Sequence, residues 1–223
     1  MRILITSGAS ELAQQLATQL APNHQVRLTD RSPATTEFEF AVAALGHDAS
    51  TRLLLQDCDA LLLLHQQGRT GESEYDLIDM ATRGVYNLLH AAVEAGVRRV
   101  VCISTLGLMD AYAPEMTVSE RWRPRPTTAP AVLAAYLTEA TCREFAREHK
   151  LDVTVLRIGT LVADDAELTP AGANLRGQDL AHGVALALAA CTRPWVVYHL
   201  QSQVDGARFS TAKAQEELGY LHV

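Results

Sequence analysis

Short apolar runs alternate with helical periodicities along most of this chain, and no other feature restricts its fold as strongly. Ile3 to Thr6 reads as a first strand. Leu12, Leu16 and Leu20 then share one stripe, which predicts an amphipathic helix over 11–20, stopped at Pro22-Asn23. Gln25 to Thr29 predicts a second strand ending at Asp30, and Phe38 to Val42 a third. Ala60 to Leu64 is apolar throughout, as expected of a strand covered on both faces. Tyr75 to Glu94 predicts one long helix closed by Gly96, followed by a strand over Arg99 to Ser104. Ala131 to Glu148 reads as helix, Val153 to Arg157 as strand and Val196 to His199 as a weaker strand, with late helices over Leu180–Ala190 and Thr211–Leu218. Strands alternating with helices imply parallel βαβ units. The expected fold class is therefore α/β: a doubly wound, mostly parallel Rossmann-type sheet with helices on both faces. The 223 residues suit one domain, with a small substrate-side portion from about residue 158 onward. Ala113 to Pro130 is Pro-rich and irregular, and loops of that length are usually functional or mobile.

Charge and composition exclude several classes. A net charge of −7 argues against nucleic acid as a partner, because phosphate neutralisation needs a basic surface. No apolar run approaches the roughly 18 residues that cross a bilayer, so no membrane role is expected. Met1 to Thr6 runs straight into a strand pattern with no signal-peptide layout, and the expected compartment is the cytoplasm. Cys58, Cys102, Cys142 and Cys191 form no CxxC pair and no zinc spacing, which leaves buried free thiols as the expectation and no metal site.

The first strand, a tight turn and a helix opening at its N-terminus form the arrangement that seats a dinucleotide pyrophosphate. The turn reads Thr6-Ser7-Gly8-Ala9-Ser10-Glu11-Leu12-Ala13. Other fragments follow in order: Asp59-Ala60-Leu61-Leu62-Leu63-Leu64-His65, Gly84-Val85-Tyr86-Asn87-Leu88-Leu89, Val97-Arg98-Arg99-Val100-Val101-Cys102-Ile103-Ser104-Thr105, Val153-Thr154-Val155-Leu156-Arg157 and Lys213-Ala214-Gln215-Glu216-Glu217-Leu218-Gly219-Tyr220. Together they resemble the extended short-chain dehydrogenase/reductase family of NAD-dependent epimerases and dehydratases, as a divergent member.

That resemblance implies NAD or NADP as cofactor. It implies a cofactor site of Ser7, Gly8, Ser10, Glu11, Leu12, Asp30, Arg31, Asp48 and His65. The family's TGxxGxxG pattern meets Ser7, Ser10 and Ala13 at its glycine positions, so the motif is degraded. A serine at positive φ costs about 1–3 kcal/mol, which its hydroxyl offsets if it bonds a phosphate. Glu11 favours the helix dipole and competes with a phosphate for it. Asp30 favours NAD by accepting from the adenosine ribose, while Arg31 beside it weakens that preference. Asp48 falls where the family carries an aspartate against adenine.

The family's chemistry uses Ser/Thr, Tyr and Lys. Thr105 falls at the first position. Tyr136, eight residues before Glu144, falls at the second, and four residues on, where YxxxK requires lysine, stands Ala140. A free phenol titrates near 10. Lowering it by about three pH units corresponds to roughly 4 kcal/mol, which a methyl group does not supply. The chain has two lysines, Lys150 and Lys213, and Lys150 lies about 20 Å along the helix from Tyr136. Arg121, Trp122 and Arg157 are the substrate-side candidates, through anion grip and ring stacking. Two readings stay open. One is a catalytically impaired pseudoenzyme that senses a nucleotide or serves as a scaffold. The alternative is an active NAD(P)-dependent epimerase, dehydratase or reductase acting through Tyr136 on a nucleotide-sugar-like or small hydroxyl/carbonyl substrate. A homodimer through helices 75–94 and 131–148 is what the family implies for assembly.

Overall fold

A computed structural model describes residues 1–64, 73–170 and 173–221. The chain opens with β1 (Arg2–Ile5), α1 (Glu11–Leu20), β2 (Gln25–Asp30), β3 (Glu39–Val42), α2 (Ala49–Leu54) and β4 (Ala60–Leu64). It continues through α3 (Glu74–Asp79), a π-helical turn (Met80–Gly84), α4 (Val85–Glu94), β5 (Arg99–Thr105) and a 3-10 turn (Leu106–Met109). Then come α5 (Pro130–Arg147), β6 (Asp152–Ile158), β7 (Thr160–Val162), β8 (Asn174–Arg176), α6 (Gly177–Ala189), β9 (Trp195–Leu200) and α7 (Ala212–Leu218).

Seven strands form one parallel sheet in the order β3-β2-β1-β4-β5-β6-β9. This is the doubly wound Rossmann-type architecture. Because the strand order reverses between β1 and β4, their carboxyl ends frame the crevice where such sheets bind ligands. Period-2 alternation divides the strands between two cores. Ile3, Ile5, Leu62, Val101, Leu156 and Tyr198 face α1, α6 and α7. Leu4, Leu61, Val100, Cys102, Val153 and Val155 face α2, α4 and α5. All of β4 is buried, as its unbroken apolar run requires.

Three local expectations are corrected. The predicted helix over 75–94 is two helices joined by the π-helical turn, and a Cβ on Gly84 would meet the Met80 sulfur at 2.3 Å. A second, two-stranded sheet of β7 and β8 has no counterpart in the sequence reading. Cys102 and Cys142 are buried, but Cys58 is half-buried and Cys191 exposed.

The irregular segment before α5 is pinned rather than loose. Its Arg125 amide donates to the Leu108 carbonyl at 2.8 Å, and Val118 bonds both Arg208 and Ser210 through its backbone. Tyr112 meets Trp122 edge-on at 4.7 Å, with Arg125 over its ring at 4.2 Å.

Candidate functional site

The β1–α1 turn is built for close approach. The Ser10 amide donates to the Ser7 carbonyl and the Gly8 amide to the Thr29 carbonyl, each at 2.8 Å. Gly8 needs its missing side chain: a Cβ would lie 2.9 Å from Leu28 Cβ and 3.1 Å from the Thr29 nitrogen. Ser7 adopts φ 55°, the left-handed region that costs a side chain about 1–2 kcal/mol, and its buried hydroxyl has no hydrogen-bond partner among the described residues. Ser10 at φ −78° carries no such strain and caps α1, its hydroxyl oxygen accepting from the Ala13 amide at 3.2 Å. The amides of Glu11 and Leu12, in the first turn, have no acceptor among the described residues. Gln15 bonds the Glu11 carboxylate at 3.1 Å and draws it along the helix, away from those amides. Two free amides, the helix dipole and an orphaned hydroxyl fit a pyrophosphate.

Asp30 is 6% exposed and fastens the end of β2 to this turn. One carboxylate oxygen accepts from the Ala9 amide at 3.0 Å, and the other from the Arg31 amide at 2.6 Å. Arg31 is partly exposed beside it. Asp48 caps α2, its Oδ1 accepting from the Thr51 amide at 3.0 Å and the Ser50 hydroxyl at 2.6 Å. His65 lies outside the described residues.

At the end of β5, Thr105 Oγ1 accepts from the Gly107 amide at 3.0 Å and caps the 3-10 turn. Ser104 before it is buried with an unpartnered hydroxyl. Tyr136 is 37% exposed on α5 and makes no hydrogen bond among the described residues. Ala140 is partly exposed and Glu144 exposed, so the stripe 136/140/144 turns outward. Ala135 and Glu139 turn inward instead: Ala135 is fully buried against Leu106, Leu108 and Met109, and Glu139 is 4% exposed, while Ala131, one turn earlier, is exposed. Neither lysine substitutes at Tyr136. Lys150 pairs with Glu148 at 2.6 Å, and Lys213 Nζ donates to the Val197 carbonyl at 2.9 Å.

The substrate-side candidates also separate. Arg157 is 4% exposed, and its guanidinium grips Glu139 through Nε at 2.9 Å and Nη2 at 2.7 Å, so it does not open on the crevice. The sheet register sets it between Ser104 and His199. His199 is fully buried with neither ring nitrogen bonded; burial first, then the Arg157 and Lys213 charges, hold its pKa down to about 3. Trp122 packs on Tyr112 within its own loop and offers no free stacking pair. Arg121 is exposed and lines a groove of about 420 Å³ with Glu120, Lys213 and Glu216.

A family profile described as NAD(P)H-binding matches residues 8–192. The chain belongs to this NAD(P)H-binding family. Among related proteins, YtbQ of Bacillus subtilis (strain 168), itself uncharacterized, is 25% identical over 98% of this chain and 92% of its own length. A uronate dehydrogenase from Agrobacterium tumefaciens, a mutant complexed with NAD, superposes with a TM-score of 0.85 at 21% identity, covering 100% of this chain and 84% of that one. The UDP-N-acetylglucosamine 4-epimerase from Bacillus cereus gives 0.81 at 18%, covering 100% and 93%. These neighbours share the doubly wound Rossmann-type fold of this chain.

Among the described residues, no group of three or more His, Cys, Asp or Glu could hold a metal, and no helix is long and apolar enough to cross a membrane. Glu139 and His199 escaped the sequence reading. Glu139 had a signal: with Ala134, Ala135, Thr138, Cys142 and Phe145 it falls on the buried arc of α5.

Proposed function

We propose that this protein binds a nicotinamide dinucleotide at the β1–α1 turn and does not perform the family's tyrosine–lysine proton transfer, so that it acts as a nucleotide-responsive or scaffold protein. Ser7, Ser10 and the Glu11 and Leu12 amides would hold the pyrophosphate, and Asp30, at the end of β2, the adenosine ribose. A bound dinucleotide supplies a hydride donor or acceptor. The chain's part would be to orient it.

One observation carries the loss of proton transfer. The spacing Tyr-x3-Lys-x3-Glu spreads three side chains over about 80° of a helix, so all three must share a face. On α5 Ala135 and Glu139 are buried, with exposed Ala131 one turn before them, whereas Tyr136 and Glu144 are exposed and Ala140 partly so. In our reading the glutamate of that spacing is Glu139, which makes Ala131 and Ala135 the tyrosine and lysine slots. Two methyl groups neither donate nor accept a proton.

Thermal-shift titration with NAD, NADH, NADP and NADPH tests the binding half. A ligand binding only the folded state at 100 times its Kd stabilises by about 2.7 kcal/mol. No shift with any of the four at millimolar concentration would remove that half. Turnover of a sugar acid or nucleotide sugar that Tyr136→Phe abolishes would overturn the other half and restore the active-enzyme reading. For assembly we keep the α4–α5 surface, where Tyr86 is 51% exposed and packs against Phe145 of α5 at 5.6 Å.

A further inference from the structure

β9 is the last strand of the sheet, so one of its edges pairs with no other strand. Alternate residues of a strand point their backbone groups to opposite sides. The Pro194 and Leu200 carbonyls face β6, accepting from Val153 and Gly159 at 3.0 Å each, which turns Val197 and His199 outward. The strand reads Trp-Val-Val-Tyr-His-Leu, uncharged with a buried histidine and rich in residues that favour strands. An open edge of this kind is a template for another strand.

That edge is closed by two charges from separate segments. The Glu120 carboxylate accepts from the His199 amide at 2.9 Å, and the Lys213 ammonium donates to the Val197 carbonyl at 2.9 Å. Both are held in turn. Lys213 sits 5.0 Å over the Tyr198 ring, and the segment carrying Glu120 is fixed by the Val118 bridge to Phe209. They also line the groove of about 420 Å³ that runs between the Ser119–Arg121 segment and α7.

The outward groups are self-complementary. Around a two-fold axis through Tyr198, the His199 amide of one copy would donate to the Val197 carbonyl of a second, and the reverse. These are the same donor and acceptor that Glu120 and Lys213 now occupy. We infer that β9 is a latent strand-addition edge whose fitting partner is a second copy of this chain, and that Glu120 and Lys213 keep it shut. The inference is independent of dinucleotide binding and of the α4–α5 surface.

The test compares sedimentation velocity of the full chain, from 1 to 100 µM as a working range, with that of Glu120→Ala/Lys213→Ala. The double variant is expected to double the mass of the wild-type species as concentration rises, with each single variant doing so less. Adding Val197→Pro, which bends the edge strand away from pairing, should return it to the wild-type mass. A folded double variant that sediments like wild type at every concentration overturns the inference. Should the double variant not fold, Glu120→Gln/Lys213→Gln, which keeps the side-chain volume, carries the same comparison. Self-association that survives Val197→Pro likewise overturns it.

Discussion

Replacing Glu139 by glutamine should destabilise this protein more than any comparable change on the same helix. The carboxylate is 4% exposed and meets Arg157, also 4% exposed, in a bidentate pair at 2.9 and 2.7 Å. Around the guanidinium the other neighbours give little: Met109 sulfur lies 3.8 Å from Nη1, and the register partners are Ser104 and a neutral His199. The amide would leave a buried cation without its counter-charge. Breaking such a pair from one side typically costs about 3–5 kcal/mol. For a chain of this size that corresponds to a Tm lowered by roughly 6–20 °C. Two controls separate the charge effect from simple repacking. Glu144→Gln, on the outer stripe and paired only with exposed Arg147 at 2.8 Å, should stay within about 1 kcal/mol of wild type. Glu139→Met/Arg157→Met removes both charges and should recover most of the loss, since apolar replacement of a whole buried pair is often neutral or stabilising. Urea denaturation gives the midpoint, with an unchanged slope to certify that only stability moved. A Glu139→Gln variant within 1 kcal/mol of wild type, or a Glu144→Gln variant equally damaged, would refute the assignment of inward and outward stripes.

Other expectations follow from the same geometry. Ser7→Gly should raise stability by about 1 kcal/mol by relieving φ 55°, while Gly8→Ala should lower it because its Cβ would meet Leu28 at 2.9 Å; urea midpoints decide both. Tyr136→Phe should leave the melting temperature and every dinucleotide shift unchanged, and a change beyond error in either would contradict its outward position. His199 titrates near 6.5 when unfolded and near 3 when folded, so the unfolded chain binds the extra proton between those values. Its contribution is therefore present above pH 6.5 and is lost at roughly 1.4 kcal/mol per pH unit as pH falls toward 3. His199→Leu should flatten that part of the stability profile, and an unaltered slope would argue against a buried neutral ring. If α4 and α5 form the dimer surface, Tyr86→Glu should shift sedimentation toward monomer; a wild type that is monomeric at micromolar concentration removes the proposal.

The fold was legible because it is written in side-chain period, and the site was only partly so because its meaning depends on facing. Ala60–Leu64 cannot be anything but a strand covered on both sides, and the Leu12/Leu16/Leu20 stripe fixes which face of α1 meets the sheet. β9 was underestimated because Tyr198 and His199 interrupt its apolar character, yet both are buried. The π-helical turn brings the Met80 sulfur over Gly84, a contact no periodicity records. Asp48 before Ala-Ser-Thr carries a helix-cap signature that the sequence reading did not use.

Tyr136 shows the limit most clearly. A tyrosine and a glutamate eight apart satisfy the family spacing as letters, but two such frames, five residues apart, overlap on α5. Only burial at the second and third positions distinguishes them. The frame with the visible tyrosine is exposed or partly exposed throughout, and the other has no aromatic residue to draw notice, only exposed Ala131 and the buried Ala135 and Glu139. A five-residue shift rotates a helix position by about 140°, enough to exchange inside for outside. On the proposed assignment, the missing lysine at position 140 is thus not the decisive absence; the methyl groups of Ala131 and Ala135 are. A single Ala140→Lys substitution, placing its ammonium on the outer face beside Tyr136, should therefore restore no chemistry.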